Sequence, residues 1–167
     1  LGSPEEQLRR ESGYLFPNDF VIFDEAHTVE QTASRQIGIG VSQYGLRATV
    51  QRLYNARTRK GLFTITRDAA GVTLAAALVD EIDAFFRSID ERCDFRKGPE
   101  FRVRHAEIVP DNISGRLRAL QGRVAEVAKR QDDDMLKSEL QDLGRRLTEA
   151  RLGIGAFLEQ SADGHVY

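Results

Sequence analysis

Apolar and polar positions follow three different rhythms along this chain, and each rhythm predicts a different element. An unbroken apolar run, Phe20-Val21-Ile22-Phe23, follows the turn signal Pro17-Asn18-Asp19. Four apolar β-formers without alternation predict a strand covered on both faces, as in a parallel α/β sheet. The run stops at Asp24-Glu25-Ala26-His27; residues 28–36 are polar and helix-compatible, and Ile37-Gly38-Ile39-Gly40-Val41 predicts a short extended segment. From Ser42 the period becomes helical. Ser42 predicts an N-cap, and Leu46, Val50, Leu53 and Tyr54 share one face. Residues 57–67 read as a loop or irregular arm. A second helix over 69–91 carries a broad stripe of Leu74, Leu78, Ile82, Phe85, Phe86 and Ile89.

Within 94–109 the period breaks. Gly98-Pro99 turns the chain, and Phe101 and Val103 alternate with Arg102 and Arg104, which predicts a short strand or hairpin arm. Pro110-Asp111-Asn112 opens a third helix carrying Ile113, Leu117, Leu120, Val124 and Val127. Asp132, Asp133 and Asp134 suit the positive end of a last long helix, striped by Leu136, Leu140, Leu143, Leu147, Ile154, Phe157 and Leu158. Gly153 and Gly155 weaken that helix late; Ala162-Asp163-Gly164 ends it, and His165-Val166-Tyr167 reads as the start of another strand. The predicted fold is mainly α: an antiparallel helical domain over 41–160 with a small β element, joined to one strand of an α/β domain within 1–40. Residues 161–167 begin a return to that domain. One strand cannot form a sheet alone, so the chain is expected to be a fragment of a larger α/β protein. Phe20–Phe23 would then be an apolar edge that pairs with another copy of the chain, packs on the helices or leaves strand geometry.

Composition changes this picture little, and charge changes it more. A length of 167 residues suits one domain, or one domain with an appendage. With 41% hydrophobic and 30% charged residues the chain is an ordinary globular one. One cysteine, Cys93, excludes a disulfide framework and any cluster held by several thiolates of this chain. No apolar run reaches the roughly 20 residues of a membrane span, and the acidic start is no secretory signal, so a soluble intracellular protein is expected. The net charge of −2 excludes a uniformly basic nucleic-acid binder but hides segregation. Residues 1–40 hold seven acids and three bases, for −4; residues 41–67 hold six bases (Arg47, Arg52, Arg57, Arg59, Lys60, Arg67) and no acid. Residues 68–91 run at −5 and residues 92–104 at +3. The basic stretches either neutralise phosphates or form solvated helix faces.

The chemistry is concentrated in Asp24-Glu25-Ala26-His27 at the end of the predicted strand. Strand C-termini are where open α/β sheets present ligands. An Asp there can hold Mg²⁺ bridging nucleotide phosphates, and an adjacent Glu can orient or deprotonate the attacking water. The segment Val21-Ile22-Phe23-Asp24-Glu25-Ala26-His27 resembles the Walker B motif, or motif II, of DEAH-type superfamily 2 helicases. The segment after the motif and the tail from Phe157 to Tyr167 resemble the DinG/XPD-type iron–sulfur helicases, in which a largely helical insertion, the Arch domain, follows motif II. That resemblance implies an ATP-dependent 5′→3′ DNA helicase, with residues 1–40 and 161–167 belonging to the first, P-loop α/β motor domain and 41–160 to an Arch-like insertion that guides single-stranded DNA. It implies Asp24 as the Mg²⁺ ligand, Glu25 beside it as the catalytic base for ATP hydrolysis, and His27 as the link from nucleotide to DNA. Mg²⁺ and ATP would be the cofactors of the complete enzyme, and a 4Fe-4S cluster would lie outside this chain. A cytoplasmic, nucleoid-associated location and no membrane partner are implied likewise. No phosphate loop of the form G-x-x-x-x-G-K-[ST] occurs, so the chain as it stands is expected to be inactive.

Arg47, Arg52, Arg57, Arg59, Lys60 and Arg67, with Arg102 and Arg104, are the expected DNA-facing residues. Tyr44, Tyr54, Phe63 and Phe101 lie near these bases; core packing is the expectation for the tyrosines, while Phe63 and Phe101 suit stacking and core equally. His105 and His165 lack metal-ligand spacing, and Cys93 reads as a buried thiol. Two other functions fit the residues: a non-enzymatic helical protein-interaction module, and a metal-dependent hydrolase using Asp24 and Glu25.

Overall fold

A computed structural model describes residues 40–93, 95–98 and 101–160. The predicted strand Phe20–Phe23, the motif residues Asp24, Glu25 and His27, and the tail with His165 lie outside the described residues. Contacts divide the chain into two compact units, Leu1–Gly38 and Ile39–Tyr167. All described residues belong to the second.

Helix α1 (Gln43–Leu53) begins where Ser42 in extended conformation accepts a hydrogen bond from the Gly45 amide, relieving one of the unpaired N–H groups of a helix start. It ends at Leu53 with Tyr54 as its C-cap, and the side-chain oxygen of Asn55 then accepts from the Arg57 and Thr58 amides. A one-turn helix α2 (Leu62–Ile65) and the long helix α3 (Ala69–Arg92) follow. A 3₁₀ turn at Phe95–Lys97 and an irregular segment lead to α4 (Ser114–Lys129), whose first amides are met by the Asp111 carboxylate. Helix α5 (Asp134–Glu159) starts on the Asp133 cap, which accepts from the Met135 and Leu136 amides. It runs through Gly153 and Gly155 and stops at Gln160 in left-handed conformation, φ 47°.

Cross-helix contacts fix the directions. Arg116 of α4 pairs with Glu81 of α3, and Arg123, further along α4, pairs with Asp68 at the start of α3, so these helices are antiparallel. Arg52 near the end of α1 pairs with Glu139 near the start of α5, while Gly45 and Thr49 share a cleft with Arg146 and Glu149. Helices α4 and α5, joined by a short turn, pack most extensively. Neighbours run α1–α3–α4–α5 and back to α1, which closes an up-down-up-down four-helix bundle. Leu53, Leu78, Ile82, Leu117, Leu120, Leu140 and Leu147 fill its interior.

Helices α1 and α4 are shorter than α3 and α5, so they cannot cover the far ends of the long pair. The irregular segment before α4 does so: Val103 and Val109 are buried, the Glu107 amide donates to the Leu158 carbonyl at 2.8 Å, and Gln160 Nε2 donates to the His105 carbonyl at 2.9 Å. This corrects the strand expected at 94–109. Val103 does point inward and Arg102 and Arg104 outward, but the backbone here pairs with the end of α5, and no strand partner exists among the described residues. The only β pairing among them is the isolated antiparallel bridge Asn55–Lys60. One aromatic expectation changes and an open one is decided. Tyr44 is 84% exposed, because it stands off the Leu46–Val50–Leu53 stripe of α1, and Phe63 is fully buried beside Leu62.

Candidate nucleic-acid interface

The basic residues divide into three groups once their partners are assigned. Arg47 is turned inward along α1 and pairs with Asp83 of α3, which also accepts from Gln43 Nε2 at 2.7 Å. The Gln43 bond, then Arg47, holds the Asp83 carboxyl below the usual carboxylate range against the opposing effect of burial. Arg52 pairs with Glu139 on the surface. Both arginines therefore join helices, and their charge is already met.

Arg57, Arg59 and Lys60 form the second group. The Asn55 side chain and the Asn55–Lys60 bridge tighten residues 55–60 into a turn, with Arg59 at φ 55°. Gly61 then takes φ 150° directly beneath α1: a Cβ there would stand 2.4 Å from the Leu53 carbonyl oxygen. The turn thus holds three exposed cations on a short, backbone-bonded platform, and Arg67, also exposed, follows α2. None of the four makes an ion pair among the described residues. Their surroundings are mixed in charge, because α2 and the first turn of α5 share a shallow cleft bordered by Leu62, Ile65, Asp133, Asp134 and Met135.

Arg102 and Arg104 form the third group, exposed on the segment that covers the other end of the bundle and likewise without an ion pair among the described residues. The 24 residues of α3 separate this end from the basic turn, a distance of about 36 Å at 1.5 Å per residue. The structure therefore does not bring the eight predicted basic residues into one patch. Beside Arg102, Phe101 is 41% exposed and meets Phe95, 43% exposed, edge to face with ring centroids 6.4 Å apart. Phe95 is the aromatic that periodicity did not single out. Its sequence signal is position: Phe95 and Phe101 flank the Gly98-Pro99 turn among Arg92, Arg96, Lys97, Arg102 and Arg104.

The polar cluster around Asp68 is structural. Asp68 caps α3 by accepting from the Gly71 amide at 3.0 Å and takes a bidentate contact from the Arg123 guanidinium. Arg123's bonds hold the Asp68 carboxyl below the usual range, against burial and with help from Gly71. Cys93 is buried at the end of α3, and burial together with Asp90 pushes its thiol up, which suits packing rather than nucleophilic attack. Among the described residues no cluster of three His, Cys, Asp or Glu side chains is placed to hold a metal ion, and no helix is long and apolar enough to cross a membrane. Comparison with known protein families, curated proteins and solved structures gave no match to this chain.

Proposed function

We propose that the chain is the motif II strand and Arch-like insertion of an ATP-dependent 5′→3′ DNA helicase of the DinG/XPD type. The observation that carries this reading is the order of parts. An apolar run ending in Asp24-Glu25-Ala26-His27 is followed, from Gln43, by a helical unit whose core closes on itself. An insertion placed after a motor motif needs that self-sufficiency, since it must fold without disturbing the sheet it interrupts. In this reading Asp24 holds the nucleotide's Mg²⁺, Glu25 takes the proton of the attacking water, and His27 links the nucleotide to the DNA-bound state. The helical unit guides the single strand with Arg57, Arg59, Lys60, Arg67, Arg102 and Arg104, which make no ion pair among the described residues.

The test is DNA-stimulated ATP hydrolysis by the full-length protein. Glu25→Gln should lower kcat by at least about a hundredfold while ATP still binds, consistent with the loss of a general base; Asp24→Asn should raise the Mg²⁺ requirement. Hydrolysis that ignores both substitutions would refute the helicase reading. Mg²⁺- or Mn²⁺-dependent hydrolysis of phosphate esters by the 167-residue chain alone would favour the hydrolase instead.

A further inference from the structure

We propose that Phe95 and Phe101, with Arg102 and Arg104, form a stacking platform for single-stranded nucleic acid at the C-terminal end of α3. This rests on the DNA-binding part of the function proposed above and decides which end of the bundle holds bases. Single strands are gripped by two kinds of contact, cations along the phosphates and aromatic faces under the bases. The two ends of this bundle differ in the second. In the basic turn the neighbouring aromatics are Phe63, which is buried, and Tyr54, which is half-buried against the core, and the acidic start of α5 borders the same cleft as Leu62. At the far end two phenyl rings stay more than 40% exposed and lean on one another instead of on the core.

The surrounding chain holds that arrangement in place. Val103, between Arg102 and Arg104, is buried, while both arginines are exposed. The Glu107–Leu158 and Gln160–His105 hydrogen bonds fasten the same segment to α5. Charge selects the occupant and its path. Residues 92–104 carry five bases and two acids, for +3, which matches a polyanion. Asp90 and Glu91 border the cleft on the α3 side of Phe95, so phosphates run on the opposite side, over Arg102 and Arg104. Stacking accepts any base, so the contact is indifferent to sequence.

The platform is tested in the full-length protein without nucleotide, by fluorescence anisotropy of a labelled oligothymidylate over a salt titration. Replacing both Phe95 and Phe101 by Ala should weaken binding about tenfold or more, within the range of stacking losses, and leave the salt slope unchanged. Replacing both by Tyr should restore binding. Arg102→Gln with Arg104→Gln should weaken binding and flatten the slope by about 1.4, at about 0.7 per phosphate contact of a single strand. Both rings are exposed, so circular dichroism melts should be unaltered. Wild-type binding that is indifferent to the aromatic pair would overturn the platform and leave the helicase reading standing. Failure of the unaltered protein to bind any oligonucleotide would overturn both. An Ala pair that changes only the sedimentation coefficient, with DNA affinity intact, would assign the rings to a protein contact and overturn the proposal.

Discussion

Arg59 and Gly61 take positive φ two residues apart, and they do so for opposite reasons. At Gly61 the backbone reaches φ 150° where a side chain would strike the Leu53 carbonyl and the Tyr54 Cα. Gly61→Ala should therefore lower stability by about 2 kcal/mol, in the range for strained backbone, read as a lower urea midpoint at unchanged slope. At Arg59, φ 55° is the ordinary left-handed turn position that glycine prefers. Arg59→Gly should raise stability by up to about 1 kcal/mol while removing one cation from the turn. A molecule that keeps arginine at such a position places charge ahead of backbone ease. Equal or lower stability in Arg59→Gly would show that the arginine side chain, not the turn, sets the local energy.

Helix by helix, the periodic stripes were legible, because burial of a continuous face is a property that neighbouring residues share. Ser42 and Asp133 cap their helices, and Asp111, two residues ahead of the Ile113 N-cap, accepts from the Ile113 and Ser114 amides. What was not legible depends on a partner distant in sequence. Phe63 packs inward because α2 folds under α1 and α3, and the 101–109 segment is irregular because α5 supplies its hydrogen bonds. Tyr44 goes outward because it stands off the buried Leu46–Val50–Leu53 face of α1. The motif residues Asp24, Glu25 and His27 lie outside the described residues and stand as a sequence pattern alone. Two substitutions test the elements themselves. Asp133→Ala should cost about 1 kcal/mol by leaving the Met135 and Leu136 amides unmet. Gly122→Ala in α4, where a Cβ meets nothing within 4 Å, should gain between about 0.5 and 1 kcal/mol. Chemical denaturation of each variant measures both.

For the whole bundle, two carboxylates tie helices together and make its stability sensitive to acid. Asp68 joins α3 to α4 through Arg123, and Asp83 joins α1 to α3 through Gln43 and Arg47. Both are held below the ordinary carboxylate range in the folded state. The folded protein therefore binds fewer protons than the unfolded chain, and stability rises with pH across that interval. Their contribution is fully present above about pH 4, the unfolded carboxyl value, and fades as pH falls through the lower folded values. The urea midpoint should drop below pH 4, and Asp68→Asn should flatten that drop while lowering the midpoint at pH 7. Charge at the two ends of the bundle is a separate matter, because Arg57, Arg59, Lys60, Arg102 and Arg104 are exposed and make no ion pair among the described residues. On the proposed function, neutralising Arg57, Arg59 and Lys60 to Gln should weaken binding of single-stranded DNA and flatten its salt slope by about 2, at about 0.7 per contact. The ends lie about 36 Å apart, so this loss should add in free energy to that from Arg102→Gln with Arg104→Gln, as for independent sites. Additivity across a salt titration means that one strand touches both ends of the bundle. If the combined variant binds no worse than the Arg102/Arg104 variant alone, the basic turn lies off the path of the strand and serves another surface.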